Sequence, residues 1–311
     1  MATLGNGQIG NVNVPKKAIA AMDVIYQTSA LMSVMERAGI PSMNTKETQI
    51  IWDVTKGVAG EDRVTIDADV DRKRVKYSQI KAEVLWSNYS YDVLEGAKLN
   101  ARDTDAIWDD SMTSAAEFFA AIRDYRSIGA VYGAAMNTAA AGTTWGSAGA
   151  DPEADIVSGV SKIMEKSNMR DGEKISVIVP AKVFYEVNKL TLINNIQRTV
   201  KDYLEKSFTL EIHPFRPMVN DAGTALYDAL STNALMFVQG KKTGINFTYD
   251  RGEAARRKIP LIEHERMFGR GDRFVQKMGT VTLPMWDATG TYTSSTDYKN
   301  NRIYTITGVT S

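Results

Sequence analysis

The order of apolar and polar positions divides the chain into stretches of different period. From Met22 to Ala38 the residues Met22, Ile25, Tyr26, Leu31, Val34 and Met35 recur mostly at helical spacing, and Gly39 with Pro41 supplies a stop. A core-facing amphipathic helix is predicted there. Residues 1 to 21 carry Gly5, Gly7, Gly10, several Asn, Pro15 and Lys16-Lys17 but no acidic residue, which is the make-up of an extended or mobile arm. After the helix the period changes to two. Gln49 to Thr55 leads into Gly57 and Gly60, Arg63 to Val70 alternates, and the alternation resumes through Val75, Tyr77, Ile80, Ala82, Val84 and Trp86 before shifting phase to Tyr89, Tyr91 and Val93. The slip near Ser87-Asn88 predicts a bulge. A hairpin of this length with a charged tip predicts a projecting two-stranded arm.

The helical period returns from Thr104 to about Gly133, where Ile107, Met112, Ala115, Phe118, Phe119, Ile122, Tyr125 and Ile128 track one face and Asp103 or Thr104 can cap the start. Ala134 to Ala150 is rich in Ala, Gly and Thr and predicts a flexible connection, with a domain boundary near 148. Beyond it helices and strands alternate. Asp151 to Asn168 is helical, Lys174 to Pro180 is a buried strand, Ala181 to Leu190 is helical, and a further helix runs to about Lys206. Phe208 to His213 and Ala234 to Val238 are strands. From about Gly240 strand-like segments return (Ile245 to Tyr249, Phe274 to Pro284, Arg302 to Thr307), interrupted by the basic stretch Arg251 to Arg273. The fold class is α+β, without repeats and without a Gly-rich phosphate loop.

Composition removes whole classes of function. The 311 residues include no Cys, which excludes disulfides, zinc ribbons, iron–sulfur clusters and thiol nucleophiles. Only His213 and His264 are present, so a multi-histidine metal centre is not expected, nor is any cofactor. The 37 basic residues balance 37 acidic ones, unlike the basic excess of a free-standing nucleic-acid binder, so contact with nucleic acid is expected to be local or weak. No secretory signal and no membrane span are read, which places the chain in the cytosol and leaves the sequons at Asn88 and Asn246 without meaning.

Candidate chemistry is sparse. Asp67-x-Asp69-x-Asp71 opens like a calcium loop, but Arg72 stands where the turn glycine belongs and Ser78 where the bidentate Glu belongs, so an acidic stripe on one strand face fits better. His264-Glu265-Arg266 has no partner for general-base work. Neither a nucleophile elbow nor a phosphate-loop motif occurs, and the chain is not expected to be an enzyme. What stands out is segregated charge. Glu61, Asp62, Asp67, Asp69 and Asp71 are followed at once by Arg72, Lys73, Arg74 and Lys76. A second basic concentration holds Arg251, Arg256, Arg257, Lys258, Arg266, Arg270 and Arg273. The acidic part of one subunit's arm is expected to meet the basic stretch of a neighbour, with Glu61, Asp62, Asp67, Asp69, Asp71, Arg72, Arg74, Lys76, Arg256, Arg257, Lys258, Arg266 and Arg270 at the interface.

This order of elements (arm, short helix, long charged hairpin, long helix, small-residue hinge, α+β lobe, returning strands) resembles the Hong Kong 97-type capsid fold of tailed viruses and encapsulins. Lys174-Ile-Ser-Val-Ile-Val-Pro-Ala-Lys-Val-Phe-Tyr-Glu-Val-Asn-Lys-Leu looks like that family's strand, Pro-terminated turn and helix. The resemblance implies an N-terminal arm at 1–21, the first helix and strand of a peripheral domain at 22–57, and an extension loop at 58–95. A spine helix and hinge at 96–148, an axial domain at 149–240 and return strands of the peripheral domain at 241–311 complete it. It implies a structural role: self-assembly into pentamers and hexamers of an icosahedral shell that encloses double-stranded DNA, in a virion assembled in the host cytoplasm. Weak DNA contacts, a separate scaffolding protein or none, and a portal or decoration protein would be the partners, with no membrane. An encapsulin-type shell around a cargo enzyme is the alternative, and an α+β enzyme of unknown chemistry stands behind both.

Overall fold

The computed structural model describes residues 33–56, 76–94, 104–193, 196–249, 261–267, 271–285 and 298–311. Of the helix predicted over 22–38, the last turn, α1 (Val34–Arg37), lies within them. It stops where the sequence signalled: Gly39 takes φ +89°, a left-handed conformation that favours glycine. The next helix, α2 (Thr104–Gly133), keeps the predicted bounds over 30 residues. Met112, Ala115, Ala116, Phe119, Ile122, Ile128 and Val131 are buried along it at spacings that keep to one face on a core. Two positions differ from the sequence pattern. Tyr125 is 45% exposed, whereas Arg123 and Asp124 are buried beside the apolar stripe.

The predicted hairpin is present as β2 (Gln49–Lys56) and β3 (Lys76–Glu83), paired antiparallel from Gln49 opposite Glu83 out to Lys56 opposite Lys76. Ile50 and Ile80 root it in a hydrophobic core, and Ile51, on the opposite face, is 47% exposed. The slip of phase has a different cause from the bulge expected. After Val84 the chain leaves this hairpin for another sheet, as β4 (Leu85–Leu94), which pairs without a register break along β15 (Gly271–Pro284) from Leu85 opposite Thr280 to Leu94 opposite Gly271. A change of sheet reverses which alternate residues face inward, as a bulge would.

The small-residue stretch is ordered rather than a loose connection. Its first half is β5 (Ala135–Ala140), parallel to β16 (Asn300–Thr307), and its second half is pinned by Trp145, fully buried, whose indole N–H donates to Asp155 Oδ2 at 2.8 Å. The α3 helix (Pro152–Lys166) follows, with Asp151 Oδ1 accepting the Ala154 N–H at 3.0 Å and Pro152 in the first turn. Next come β6 (Ile175–Pro180), α4 (Ala181–Asn188), a short hairpin of β7 (Leu190–Ile193) and β8 (Ile196–Thr199), and α5 (Val200–Ser207). They lead to β9 (Leu210–Phe215), the small β10–β11 pair (Met218–Val219, Ala225–Leu226) and β12 (Ala234–Val238). The hairpin β7–β8 falls where the sequence predicts part of a helix running to about Lys206. Within the basic stretch lies a strand the sequence did not announce, β14 (Leu261–Met267), antiparallel to β15.

Two five-stranded sheets organise these elements. The central one has the order β5-β16-β12-β6-β9; the other joins β1 (Ser42–Thr45), β13 (Gly244–Tyr249), β15 and β14, with β4 also on β15. Every residue of β6 and β12 is buried, because the central sheet separates two cores. Ile175, Val177, Val179, Ala234, Met236 and Val238 point to α3, α4 and α5, whereas Ile178, Leu235 and Phe237 point to α1, the end of α2 and the second sheet. The α3 helix reaches its core closely at Gly159, where a Cβ would stand 2.6 Å from Met236 Sδ and 3.0 Å from the Tyr304 ring. No helix among the described residues is long and apolar enough to cross a membrane.

Candidate assembly surface

The charged residues singled out by sequence are mostly at positions the structure does not describe. Glu61, Asp62, Asp67, Asp69, Asp71, Arg72 and Arg74 belong to the 57–75 stretch between the ends of the β2–β3 hairpin, and Arg256, Arg257, Lys258 and Arg270 also lie outside the described residues. Two are placed by their backbone. Lys76 is the outermost paired position of β3, opposite Lys56, and Arg266 stands in β14 opposite Asp272 of β15. Lys56 and Lys76 thus stand opposite each other at the outer end of the described hairpin, and β14 lies at an edge of the second sheet.

The described surface near these strands mixes apolar and charged groups. Leu85 is 50% exposed, Trp86 39% and Leu94 54%, all on β4. Beside them Arg273 grips Asp92 with two bonds, Nε to Oδ1 at 2.8 Å and Nη2 to Oδ2 at 3.1 Å, and its guanidinium holds the Asp92 carboxyl below the usual range. Across β4 a groove of about 400 Å³ runs along α2, lined by Leu85, Tyr125, Arg126, Ala229 and Val281. Arg126 spans it, donating to the Leu85 carbonyl at 2.9 Å. These residues gave no sequence signal beyond their hydrophobicity, because exposure of an apolar side chain cannot be read from its type.

Other candidate chemistry resolves into structural roles. His213 lies in β9 and His264 in β14, in different sheets. His213 Nε2 is 3.8 Å from Glu211 Oε2, and burial lowers its pKa against the raising influence of that carboxylate. Among the described residues no group of three or more His, Cys, Asp or Glu is gathered to hold a metal. The Asn246 sequon is occupied by packing: Asn246 is 5% exposed and its Oδ1 accepts from Thr282 Oγ1 at 2.7 Å.

Missing from the sequence reading is the polar joint between α1 and α2. Ser33 caps α1 without a side-chain bond of its own; Asp124 of the long helix does it instead, accepting from Ser33 Oγ at 2.7 Å and from the Val34 N–H at 2.8 Å. Arg123 next to it pairs with Glu36 Oε1 at 2.5 Å. Burial drives the Asp124 carboxyl up to about 6, against the lowering effect of its hydrogen bonds and of Arg123 and Arg37.

No family model matches the sequence, and no curated protein matches it either. Solved structures do. A virus-like particle from Pyrococcus furiosus aligns with 95% of this chain and 100% of its own, at 11% identity and a TM-score of 0.63. The capsid of Myoviridae phage XM1 aligns over 89% of this chain and 92% of its own, at 12% identity and a TM-score of 0.59. The capsid of a native GTA particle covers 87% and 88%, at 11% identity and a TM-score of 0.57.

Proposed function

We propose that this chain, which has the Hong Kong 97-type capsid fold, is the structural subunit of a closed icosahedral shell, the major capsid protein of a tailed virus. The observation that supports the reading is the near end-to-end match to structures of capsids and particles. In this reading α2 is the spine of a peripheral domain completed by residues 22–57 and 241–311. The lobe of residues 149–240 is the axial domain around which pentamers and hexamers close, and residues 58–95 are an extension loop lying on a neighbour. The role is structural rather than catalytic. Double-stranded DNA fills the shell through weak, non-specific contacts, a scaffold, portal or decoration protein completes it, and assembly takes place in the host cytoplasm.

The exposed Ile51, on the face of the hairpin opposite Ile50 and Ile80, supports a partner on that outer face. Each exposed ion pair between copies is worth only about 0–1 kcal/mol, so the segregated charges of the hairpin and of Arg256, Arg257, Lys258, Arg266 and Arg270 act by repetition around a shell. Reversing Arg256, Arg257 and Lys258 to Glu is expected to abolish particles in negative-stain images while the circular dichroism of the subunit stays unchanged. Normal particles from that variant would overturn the charge pairing; failure of the parental chain to form particles would overturn the shell.

A further inference from the structure

The two edges of the central sheet are finished differently. At β9 the outward backbone is closed: the Ile212 N–H donates to Glu205 Oε1 at 3.0 Å, and Pro214, next on the same side, has no N–H to offer. At the other edge, the Ala141 N–H just past β5 donates inward to the Thr307 carbonyl at 2.8 Å. Strand alternation then turns the backbone of Ala139 toward β16 and leaves the N–H and C=O of Thr138 and Ala140 pointing away from the sheet. Thr138, Ala139 and Ala140 are exposed, none is charged or proline, and among the described residues no strand lies beyond them. Charge is graded along this open edge, because α3 lies beside β5 with its direction reversed. Lys166, in the last turn of α3, donates to Asn137 Oδ1 at 3.3 Å near the start of β5. Asp155, in the first turn, holds the Gly142 N–H at 3.1 Å just past the end of β5, with Glu153 in the same turn.

From this edge we propose that β5 pairs antiparallel with β5 of a second copy of the chain, about a two-fold axis at Ala139. The inference rests on the shell reading above, to which it adds one contact between subunits. The backbone selects the register. With Thr138 opposite the partner's Ala140, and Ala140 opposite the partner's Thr138, every outward N–H and C=O of the two residues is paired. Ala139 then faces its own copy at the non-hydrogen-bonded position, where Cα atoms approach to about 4.5 Å and a methyl group fits. Charge selects the direction. In the antiparallel pair Lys166, at Asn137, comes opposite the partner's Ala141, next to the Gly142 that Asp155 holds. Lys299, whose Nζ donates to the Gly133 carbonyl at 2.6 Å, lies on the same basic side. The two-fold axis repeats this match, and it sets the acidic first turn of each α3 toward the basic last turn of the other, as the helix dipoles favour. A parallel pair would set Lys166 beside Lys166 and Asp155 beside Asp155.

The native absence of cysteine makes cross-linking a clean test. Ala139→Cys alone, oxidised in purified particles, is expected to give a covalent dimer on non-reducing gels and no larger species, because a two-fold contact closes on itself. Its yield should exceed that of Met136→Cys at least about fivefold, since two copies of residue 136 would stand about 20 Å apart along the strands. Adding Lys166→Glu to Ala139→Cys sets acid against acid and is expected to cut the dimer at least about threefold; adding Glu153→Lys as well is expected to restore it, which a merely structural role for Lys166 would not do. In the unmodified protein, amide exchange of peptide 135–141 is expected to be at least about tenfold slower in particles than in released subunits. Intact particles with no Ala139 dimer, a ladder beyond the dimer, or equal linkage at Met136 would overturn the inference and leave the shell reading standing. Slowed exchange without the Ala139 dimer would equally overturn it, by showing that a different strand covers the edge. No particles from the parental chain would remove both readings.

Discussion

The central sheet, with strands of 5 to 8 residues, and the β4–β15 sheet, with strands of 4 to 14, come to different ends. In the central sheet, successive residues of β12 serve two cores in turn, Leu235 and Phe237 one and Met236 and Val238 the other, so no face is left for a partner. Along β15 the pattern is uneven. Phe274 and Met278 are buried with Arg273 exposed between β4 and solvent, and only from Met278 to Met285 is every position buried. The central sheet is buried on both faces along β6 and β12; β4 of the other presents Leu94 beside Gly271 at one end and Leu85 and Trp86 beside Thr280 and Gly279 at the other. The difference separates residues that hold the subunit together from residues available to hold subunits to each other.

Substitutions sharpen that separation. Phe237→Ala empties a fully buried site between the sheets and is expected to cost about 3–5 kcal/mol in denaturant unfolding, whereas Ile51→Ala on the hairpin should change subunit stability by less than about 0.5 kcal/mol and act on particle yield instead. Equal losses of stability at both positions would erase the comparison. Asp124→Asn tests the joint that seats α1 on the spine helix. With its folded pKa raised to about 6 from an ordinary 3.8, this carboxyl contributes most stability below the ordinary value and loses it as pH rises toward 6. The Asn variant should therefore gain on the parent as pH rises from 4 to 7, by up to about 3 kcal/mol, seen in paired denaturation curves. Gly159→Val pushes a side chain into Met236 and Tyr304 and is expected to cost about 1–3 kcal/mol. The smallest effect belongs to Lys174→Ala: its 2.6 Å pair with Glu211 is half-exposed, so the midpoint of unfolding should barely move, and the difference should vanish in high salt.

What the sequence disclosed follows the same physical divide. Strand β12 was bounded correctly because an apolar run of five closed by polar residues is what two-sided burial demands, and α2 because its stripe persists over many turns. Strand β5 was invisible: Ala, Asn and Thr carry little hydrophobic signal, and its strand form comes from pairing with β16, a partner more than 150 residues away. The phase slip near Ser87-Asn88 is visible in the sequence while its cause is not, since the pattern does not show which sheet each half joins. Nothing in the sequence pattern singles out Asp124 and Arg123; their burial goes with Ser33 and Glu36 arriving from about ninety residues earlier. The charge segregation of residues 61–76 is legible from sequence alone, and in the proposed reading its meaning lies between copies.

That meaning is settled most directly by negative-stain electron microscopy of the purified, untagged chain over a series of salt concentrations. The account predicts closed shells of uniform diameter, with assembly responding to ionic strength. A species that stays monomeric across the series would contradict it.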